Sequence, residues 1–285
     1  MMNAETRLYG IIGNPVRKSL SPVIHNRAFK RMGVDAVYLA FEVENIGDAL
    51  RGMRGLGIQG ASVTLPFKGS VIPLLDELDP LAGKMRSVNT IVNRGGKLIG
   101  HNTDCHGALK ALEDKVALKG RRVILLGAGG AARAIAFGLK ERGCRVTIFN
   151  RSPERAASLA RRLGCHHQPL SDLSRMDGET LDAEVLINAT SVGMFPLETQ
   201  TPIPKAVFRE GMIVMDIVYR PLRTRLLREA EERGCQTIDG IEMLAYQGAE
   251  QLEIWTGQRS DIEEIRADLR QSLRSEDDRN GPSSP

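Results

Sequence analysis

Apolar and polar positions along the chain follow two periods, one typical of buried strands and one typical of amphipathic helices. Short apolar runs such as RLYGIIG, VYLAFEV and IQGASVTL predict strands, and the segments SPVIHNRAFKRMG and IGDALRGMRGLG between them predict helices. The segment SVNTIVNRGGKLIGHN predicts a hairpin that turns at Gly95 and Gly96. Because strands and helices alternate from end to end, the pattern indicates an α/β fold.

The pattern changes near Gly120, where RRVILLGAGGAARAIAFGLKERG predicts a strand, a glycine turn and a helix. Further strands follow in RVTIFN, AEVLINAT, MIVMDIV and CQTID, and two helical patterns close the fold. We therefore predict two α/β domains with a cleft between them, the second a Rossmann-type, doubly wound parallel sheet. The predicted parts are a first domain over 1–104, the Rossmann domain over 105–239, helices over 240–274 that pack back on the first domain, and a disordered tail over 275–285.

Composition and charge limit the classes of partner that the protein can bind. The 39 basic and 35 acidic side chains are well mixed and leave a net charge of +4, and aromatics make up only 4% of 285 residues, which argues against a nucleic-acid partner. No apolar run approaches the roughly 20 residues of a membrane-spanning helix, and the N-terminus lacks the pattern of a signal peptide. We expect a cytoplasmic protein that binds a small anion. The four scattered cysteines are expected to be reduced thiols and predict no metal site: Cys105, Cys144, Cys165 and Cys235.

The glycine turn GAGGAA predicts a dinucleotide site. Gly127, Gly129 and Ala132 match the pattern G-x-G-x-x-G/A, with a predicted strand before it and a helix after it. Gly127 permits the tight turn, Gly129 lets the backbone approach a pyrophosphate, and Ala132 lets the helix pack close to the strand. The N-terminus of that helix then faces the anion.

The end of the next strand indicates which dinucleotide binds. An NAD site usually has an acidic residue there, whereas this strand ends in Asn150, followed by Arg151 and Arg155. Two guanidiniums can hold a 2′-phosphate, so the pattern favours NADP, although solvated surface arginines remain the alternative. In NATSVGM, Thr190 lies at a further strand end, where a ligand site and a plain polar turn are both open.

Polar residues of the first domain suggest a second site. Ser19 and Ser21 lie just before a helix and can bind a carboxylate, although Ser21 as a helix N-cap is the competing interpretation. Lys68 lies at the end of the strand GASVTLPFK, and a buried lysine needs an anionic partner. Asp104 is the best candidate for that partner, with a simple N-cap as its alternative, and Asn89 lies between the two in sequence.

Taken together, these stretches resemble the shikimate dehydrogenase family. The resemblance covers the whole chain except the polar tail, and the matching stretches come in the family's order. They are GNPVRKSLSP, GASVTLPFK, SVNT, GHNTD, GAGGAAR, NRSPER, NATSVGM, DIVYRPLRT and GIEMLAYQGA.

The resemblance implies a role for each matching residue. It implies that NADPH reduces 3-dehydroshikimate reversibly to shikimate, in the chorismate route to aromatic amino acids, with Lys68 and Asp104 as the catalytic pair. It places Ser19 and Ser21 on the substrate carboxylate, and Thr64, Asn89, Tyr219 and Gln247 around the ring. The cofactor residues that it implies are Gly127, Ala128, Gly129, Gly130, Ala131, Asn150, Arg151, Ser152, Arg155, Thr190 and Gly240.

Two positions depart from the family pattern. Lys18 stands where histidine is frequent, and Ser62 stands where asparagine usually contacts the substrate. Two alternatives therefore stay open: a relative that accepts quinate or uses NAD, and a non-catalytic regulator that binds the metabolite. Methylenetetrahydrofolate dehydrogenase fits less well, because paired serines suit a small carboxylate better than a folate. The sequence is silent on the oligomeric state, so a homodimer stays open.

Overall fold

The computed structural model describes residues 2–173, 175 and 182–277. The described chain forms two compact units: the first contains the residues up to Asp104 and those from Ala245 onward, and the second contains Cys105–Leu244. The predicted α/β class is confirmed. Within the described ranges, no helix combines the length and the apolar character needed to cross a membrane. Of the predicted tail, residues 278–285 lie outside the described part of the chain, and residues 275–277 belong to the last helix.

Twelve strands are present in the described residues, six in each unit. In chain order they are β1 (Arg7–Gly13), β2 (Ala36–Glu42), β3 (Gly60–Val63), β4 (Glu77–Leu78), β5 (Thr90–Arg94), β6 (Lys97–His101), β7 (Arg122–Leu126), β8 (Arg145–Asn150), β9 (His166–Pro169), β10 (Val185–Asn188), β11 (Ile213–Asp216) and β12 (Gln236–Ile238).

The helices surround these sheets. In chain order they are α1 (Ser21–Arg31), α2 (Ile46–Gly55), α3 (Pro80–Met85), α4 (Asp104–Glu113), α5 (Gly130–Glu141), α6 (Pro153–Leu163), α7 (Leu170–Leu173), α8 (Arg225–Glu231), α9 (Gly240–Thr256) and α10 (Ile262–Asp277). The division between the units falls inside α9, at Ala245, rather than at its first residue.

The first unit has a mixed sheet with the order β2-β1-β3-β5-β6-β4. Strand β1 pairs in parallel with β2 and β3, while β5 runs antiparallel to β3 and β6. The β5–β6 hairpin confirms the predicted turn at Gly95 and Gly96, which both have positive φ. One apolar cluster, which includes Ile12, Val63 and Ile91, packs α2 and the turn after β3 against one face of this sheet.

The second unit has a parallel sheet with the order β12-β11-β10-β7-β8-β9. Read from β7 outward, this is the strand order of the dinucleotide-binding fold, with the reversal between β7 and β10. A buried cluster that includes Phe149, Phe208 and Val214 fills one face of the sheet. The carboxyl ends of β7 and β10 are therefore the place where this fold binds its ligands.

Three boundaries differ from the sequence prediction. Leu20, not Ser21, is the N-cap of α1, and Ser21 is the first helical residue. Strand β3 ends at Val63, so Lys68 lies in the turn that follows rather than at the strand end. Helix α4 spans Asp104–Glu113, so Asp104 is its first helical residue rather than the N-cap of the alternative interpretation.

Candidate active site

Lys68 and Asp104 form an ion pair in the first unit. The Lys68 Nζ lies 2.6 Å from Asp104 Oδ2, with side chains 17% and 5% exposed. The turn after β3 holds the lysine: Phe67 N donates to Thr64 O, and the Lys68 carbonyl accepts from Val88 N. The ammonium is thus fixed close to a buried carboxylate while part of its side chain still reaches solvent, as a proton donor and acceptor requires.

Asn89, which directly precedes β5, holds the other oxygen of that carboxylate. Its Nδ2 donates to Asp104 Oδ1 and Thr103 Oγ1, each at 3.0 Å, and lies 3.4 Å from Gln247 Oε1. Gln247 arrives from α9 and is itself buried. The structure therefore brings four of the predicted residues into one cluster: Lys68, Asp104, Asn89 and Gln247.

The predicted carboxylate site follows the carboxyl end of β1. Ser19 Oγ lies 3.2 Å from Ser21 Oγ and also accepts from Ser21 N. Thr64 lies on the neighbouring β3 side, where its backbone N–H donates to Ile12 O. Ser21 makes no side-chain cap to the helix, so the competing interpretation of this residue as an N-cap does not apply.

The glycine turn between β7 and α5 has the backbone that a pyrophosphate requires. Gly127 has a φ of +110°, and a Cβ there would lie 2.9 Å from Ala189 O. At Gly129 a Cβ would meet no protein atom within 4 Å, so its backbone faces open space at the start of a 12-residue helix. Ala128, Gly130 and Ala131 complete this cradle, and its shape fits a dinucleotide phosphate.

The end of β8 carries the predicted 2′-phosphate side. Arg151 and Arg155 are exposed there, and Asn150 Nδ2 donates to Ser152 O at 2.8 Å. Ser152 Oγ donates to Glu154 Oε2 at 3.0 Å, a carboxylate that the sequence reasoning did not consider. The serine must turn away from Glu154 to donate to a phosphate, so the arginines are the main candidates for that contact.

Thr190 and Gly240 are fixed by their own neighbours in the second unit. The Thr190 hydroxyl donates to Asn188 Oδ1 at 2.7 Å, and Asn188 Nδ2 donates to the buried Asp216 at 2.9 Å. A Cβ at Gly240 would lie 2.6 Å from the backbone of Val218, so close packing alone requires glycine there. The cofactor roles of Thr190 and Gly240 stay predictions.

Tyr219 follows β11 in the second unit, whereas the other predicted substrate residues lie in the first. Its contact with the substrate ring therefore stays a prediction.

Sequence reasoning assigned no structural role to several polar residues behind the cluster. They are buried, uncharged and spread over β2, β3, β5, α9 and the turn before α4, so no local motif joins them: Tyr38, Ser62, Thr90, Thr103 and Gln251. The buried His25 lies beside them, 4.3 Å from the Tyr38 ring. Burial lowers the pKa of His25 to about 3, and burial raises the pKa of Tyr38, so both side chains are neutral near pH 7.

Comparisons with known proteins indicate the family of the chain. Three family models match in order: the shikimate dehydrogenase substrate-binding domain over 11–91, shikimate/quinate 5-dehydrogenase over 108–239, and the shikimate 5′-dehydrogenase C-terminal domain over 240–270. A curated relative from Thermococcus kodakarensis, shikimate dehydrogenase (NADP⁺), is 53% identical over 92% of this chain and 95% of its own length.

Solved structures give the same result. A shikimate dehydrogenase in complex with NADP⁺ has a TM-score of 0.89 and 39% identity, over 96% of this chain and 98% of the other. The shikimate 5-dehydrogenase of Thermus thermophilus, in complex with NADP(H) and shikimate, has a TM-score of 0.85 and 37% identity, over 94% of this chain and 100% of the other. The three family models together match most of the chain, and a curated relative is 53% identical over 92% of it, so the chain belongs to the shikimate dehydrogenase family.

Proposed function

We propose that this chain catalyses the reversible, NADPH-dependent reduction of 3-dehydroshikimate to shikimate, a step of aromatic amino acid biosynthesis. Membership of the family and the names of its curated relatives support an NADP-dependent oxidoreductase. The observation that carries the reaction is the buried contact of 2.6 Å between Lys68 Nζ and Asp104 Oδ2. This contact supports a role for the Lys68 ammonium as the group that gives a proton to the reacting oxygen.

In the proposed mechanism the chain supplies position and a proton. Bound NADPH supplies the hydride that the reduction requires. Lys68 Nζ hydrogen-bonds the substrate carbonyl oxygen, stabilises the negative charge that develops there, and transfers a proton to it. Asp104 orients the ammonium and accepts a hydrogen bond from the neighbouring substrate hydroxyl. In the oxidation of shikimate, Lys68 acts as the base and removes the proton from the hydroxyl group that is oxidised.

The remaining residues of the first unit hold the substrate. Ser19 and Ser21 donate hydroxyl hydrogens to the carboxylate. Asn89 and Gln247 belong to the same hydrogen-bonded cluster as Asp104, which supports a role for both at the ring hydroxyls. Thr64 and Tyr219 are proposed to complete the ring site.

The second unit holds the cofactor. The glycine turn receives the pyrophosphate on backbone N–H groups, and Arg151 and Arg155 bind the 2′-phosphate. The residues proposed for this site are Gly127, Ala128, Gly129, Gly130, Ala131, Asn150, Arg151, Ser152, Arg155, Thr190 and Gly240.

Replacement of Lys68 tests the proposal. Lys68→Met keeps the length of the side chain but removes the proton, so kcat for shikimate oxidation is expected to fall by about 10²- to 10⁴-fold. The KM for NADP⁺ should stay near the wild-type value, because Lys68 does not hold the cofactor. The measurement is the initial rate of NADPH formation, with circular dichroism to verify folding.

Lys97→Met is the matched control. Lys97 is 52% exposed and pairs with Glu77 on the surface, so its loss removes an equivalent charge away from the cluster. We expect its kcat to stay near wild type. A Lys68→Met enzyme that is folded and nearly as active as Lys97→Met would contradict the assignment of Lys68.

The description of the family model over residues 108–239 names quinate as well as shikimate, so quinate and NAD⁺ require a direct test. Rates with shikimate or quinate, each with NADP⁺ or NAD⁺, should show the highest kcat/KM for shikimate with NADP⁺. A preference for quinate with NAD⁺ would move the chain to the quinate branch, and binding without turnover would indicate a regulator. The cytoplasmic location and a homodimer remain part of the proposal, and light scattering of the purified protein measures the latter.

A further inference from the structure

A continuous chain of buried hydrogen bonds leads away from the candidate site in the first unit. Tyr38 Oη donates to Ser62 Oγ at 2.6 Å, and Ser62 Oγ donates to Gln251 Oε1 at 3.0 Å. Gln251 Nε2 then donates to Thr90 Oγ1 at 2.9 Å, and Thr90 Oγ1 donates to Asn89 Oδ1 at 2.9 Å. All five side chains are between 0% and 5% exposed. We call these five residues the buried chain.

The orientation of the Gln251 amide determines which groups donate and which accept along the buried chain. Its oxygen lies between two donors, Ser62 Oγ at 3.0 Å and His25 Nε2 at 3.2 Å. Its Nε2 donates to Thr90 Oγ1 and to the backbone oxygen of Asn89 at 3.2 Å. An amide has one acceptor atom and two donor hydrogens, and all are used here. A flipped amide would place the Gln251 oxygen against the backbone oxygen of Asn89, and two acceptors cannot form a hydrogen bond. The Asn89 carbonyl therefore fixes the orientation of the Gln251 amide.

The Thr90 hydroxyl links the orientation of the Gln251 amide to that of the Asn89 amide. Because the Thr90 hydroxyl accepts from Gln251, its own hydrogen is free to point at Asn89 Oδ1. The same Oδ1 accepts from Thr103 N at 2.8 Å, so the Asn89 oxygen lies between two donors. The Asn89 Nδ2 must then point the other way, to Asp104 Oδ1 at 3.0 Å, which leaves Asp104 Oδ2 for Lys68.

We propose that Gln251 and Thr90 are positioning residues for the reaction, because they orient the Asn89 amide and, through it, the carboxylate that holds Lys68. This inference rests on the proposed function and assigns to it two residues that touch neither substrate nor cofactor. A misplaced reacting group can lower a rate by about 100-fold at a shift near 1 Å, so the orientation of Asp104 matters for the reaction.

The other end of the buried chain reaches the serine pair. The Tyr38 hydroxyl also lies beside the Ser21 side chain, so the buried chain ends next to the predicted carboxylate site. Ser62 accepts from Tyr38 and donates to Gln251, and both of its polar functions are therefore used inside the protein. Ser62 acts as a link in the buried chain, not as a shorter substitute for an asparagine that reaches the substrate.

The sharpest test interrupts the buried chain at Thr90. Thr90→Val keeps the shape of the side chain and removes only the hydroxyl, whereas Thr90→Ser keeps the hydroxyl. We expect Thr90→Val to lower kcat for shikimate oxidation by about 10-fold or more, with the KM for NADP⁺ unchanged. Thr90→Ser should return kcat to within about 3-fold of wild type, since the donor to Asn89 is restored.

Trp255→Phe provides the matched control. Trp255 lies one turn after Gln251 on α9, and its Nε1 donates to Ile91 O at 3.0 Å, next to Thr90 on β5. This variant also removes one buried hydrogen bond between α9 and β5, but not one of the buried chain. We expect it to lower the Tm while kcat stays near wild type. Gln251→Met removes both amide donors and carries the same expectation as Thr90→Val if the latter fails to fold.

The outcomes separate this inference from the proposed function. Loss of kcat in Thr90→Val, its recovery in Thr90→Ser and an active Trp255→Phe support the positioning role. A folded Thr90→Val with wild-type kcat overturns it, and so does an equal loss of kcat in Trp255→Phe at a similar Tm. If the wild-type protein binds shikimate in calorimetry but does not oxidise it, the proposed function fails instead.

Discussion

Two exposed guanidiniums, Arg151 and Arg155, carry the proposed choice between NADP and NAD. They follow Asn150 at the end of β8, where an acidic side chain would otherwise bind a ribose hydroxyl. Arg151→Ala removes one charge-assisted contact with the 2′-phosphate. We expect the KM for NADP⁺ to rise by about 10- to 100-fold, while the KM for NAD⁺, which lacks that phosphate, stays near wild type.

Arg145 provides the control for this prediction. It is exposed at the opposite end of the same strand, so Arg145→Ala removes an equal charge far from the glycine turn. Steady-state kinetics with both cofactors, at two salt concentrations, measure the effect. Equal changes in Arg151→Ala and Arg145→Ala would mean that general charge attracts the cofactor and that no specific contact with the 2′-phosphate exists.

At the residue scale, sequence motifs located the charged groups better than the neutral ones. Lys68 and Asp104 were found because a buried charge requires a partner. Ser62 was noticed only as a departure, and Gln251 was not noticed at all. Both are buried, uncharged residues whose partners lie 189 positions apart along the chain, so only the folded structure shows their hydrogen bond.

At the element scale, the glycine turn between β7 and α5 combines two different needs for glycine. Gly127 has positive φ, and its Cβ would press on the backbone of Ala189. Gly129 has a φ of −77° and open space around it, so alanine fits its backbone. The fold therefore requires the first glycine, whereas the second is proposed to serve the close approach of a ligand.

Alanine at each position should separate the requirement of the fold from the requirement of the ligand. Gly127→Ala is expected to lower the free energy of unfolding by about 1–3 kcal/mol through backbone strain and to weaken cofactor binding. Gly129→Ala should leave the Tm near wild type and raise the Kd for NADPH by at least about 10-fold, because its Cβ holds off the pyrophosphate. Thermal unfolding and titration of NADPH fluorescence measure both. Normal NADPH affinity in Gly129→Ala would place the pyrophosphate elsewhere.

Prediction of the elements was more accurate than prediction of their ends. The periodic patterns located β1, α1 and the β5–β6 hairpin, but β3 ends five residues before Lys68 instead of at it. The apolar residues Leu65 and Phe67 continue the strand-like pattern into the turn, and hydrophobicity alone cannot show where pairing stops. The short strands β4 and β9 were missed because they carry few apolar positions.

At the scale of the whole molecule, the two units contain buried titratable groups that respond to acid in opposite ways. In the first unit, burial lowers the pKa of His25 to about 3, and its Nδ1 has no hydrogen-bond partner among the described residues. In the second unit, burial raises the pKa of Asp216 to about 6, against hydrogen bonds from Thr224, Val218 and Asn188 that lower it. No sequence pattern predicts either shift, since each depends on burial by distant elements.

The sign of each effect follows from which state binds the proton first. Between pH 6.5 and about 3, unfolded His25 is protonated and folded His25 is not, so the first unit loses stability as the pH falls. Between about pH 6 and 3.8, folded Asp216 is protonated and unfolded Asp216 is not, so the second unit gains stability as the pH falls. From pH 7 to 5 these contributions are about −2 and about +1 kcal/mol.

The chain offers a separate probe for each unit. The single tryptophan, Trp255, lies in the first unit, and the buried thiols of Cys105 and Cys144 lie in the second. When the pH is lowered from 7 to 5, the denaturation midpoint followed by tryptophan fluorescence should fall in the wild type. In His25→Gln it should fall less. Over the same pH range, thiol labelling should show that the second unit of the wild type becomes more stable, and this gain in stability should be absent in Asp216→Asn. If both variants keep the wild-type pH dependence, these two buried groups do not control the acid response, because removal of a controlling group must remove its share of the slope.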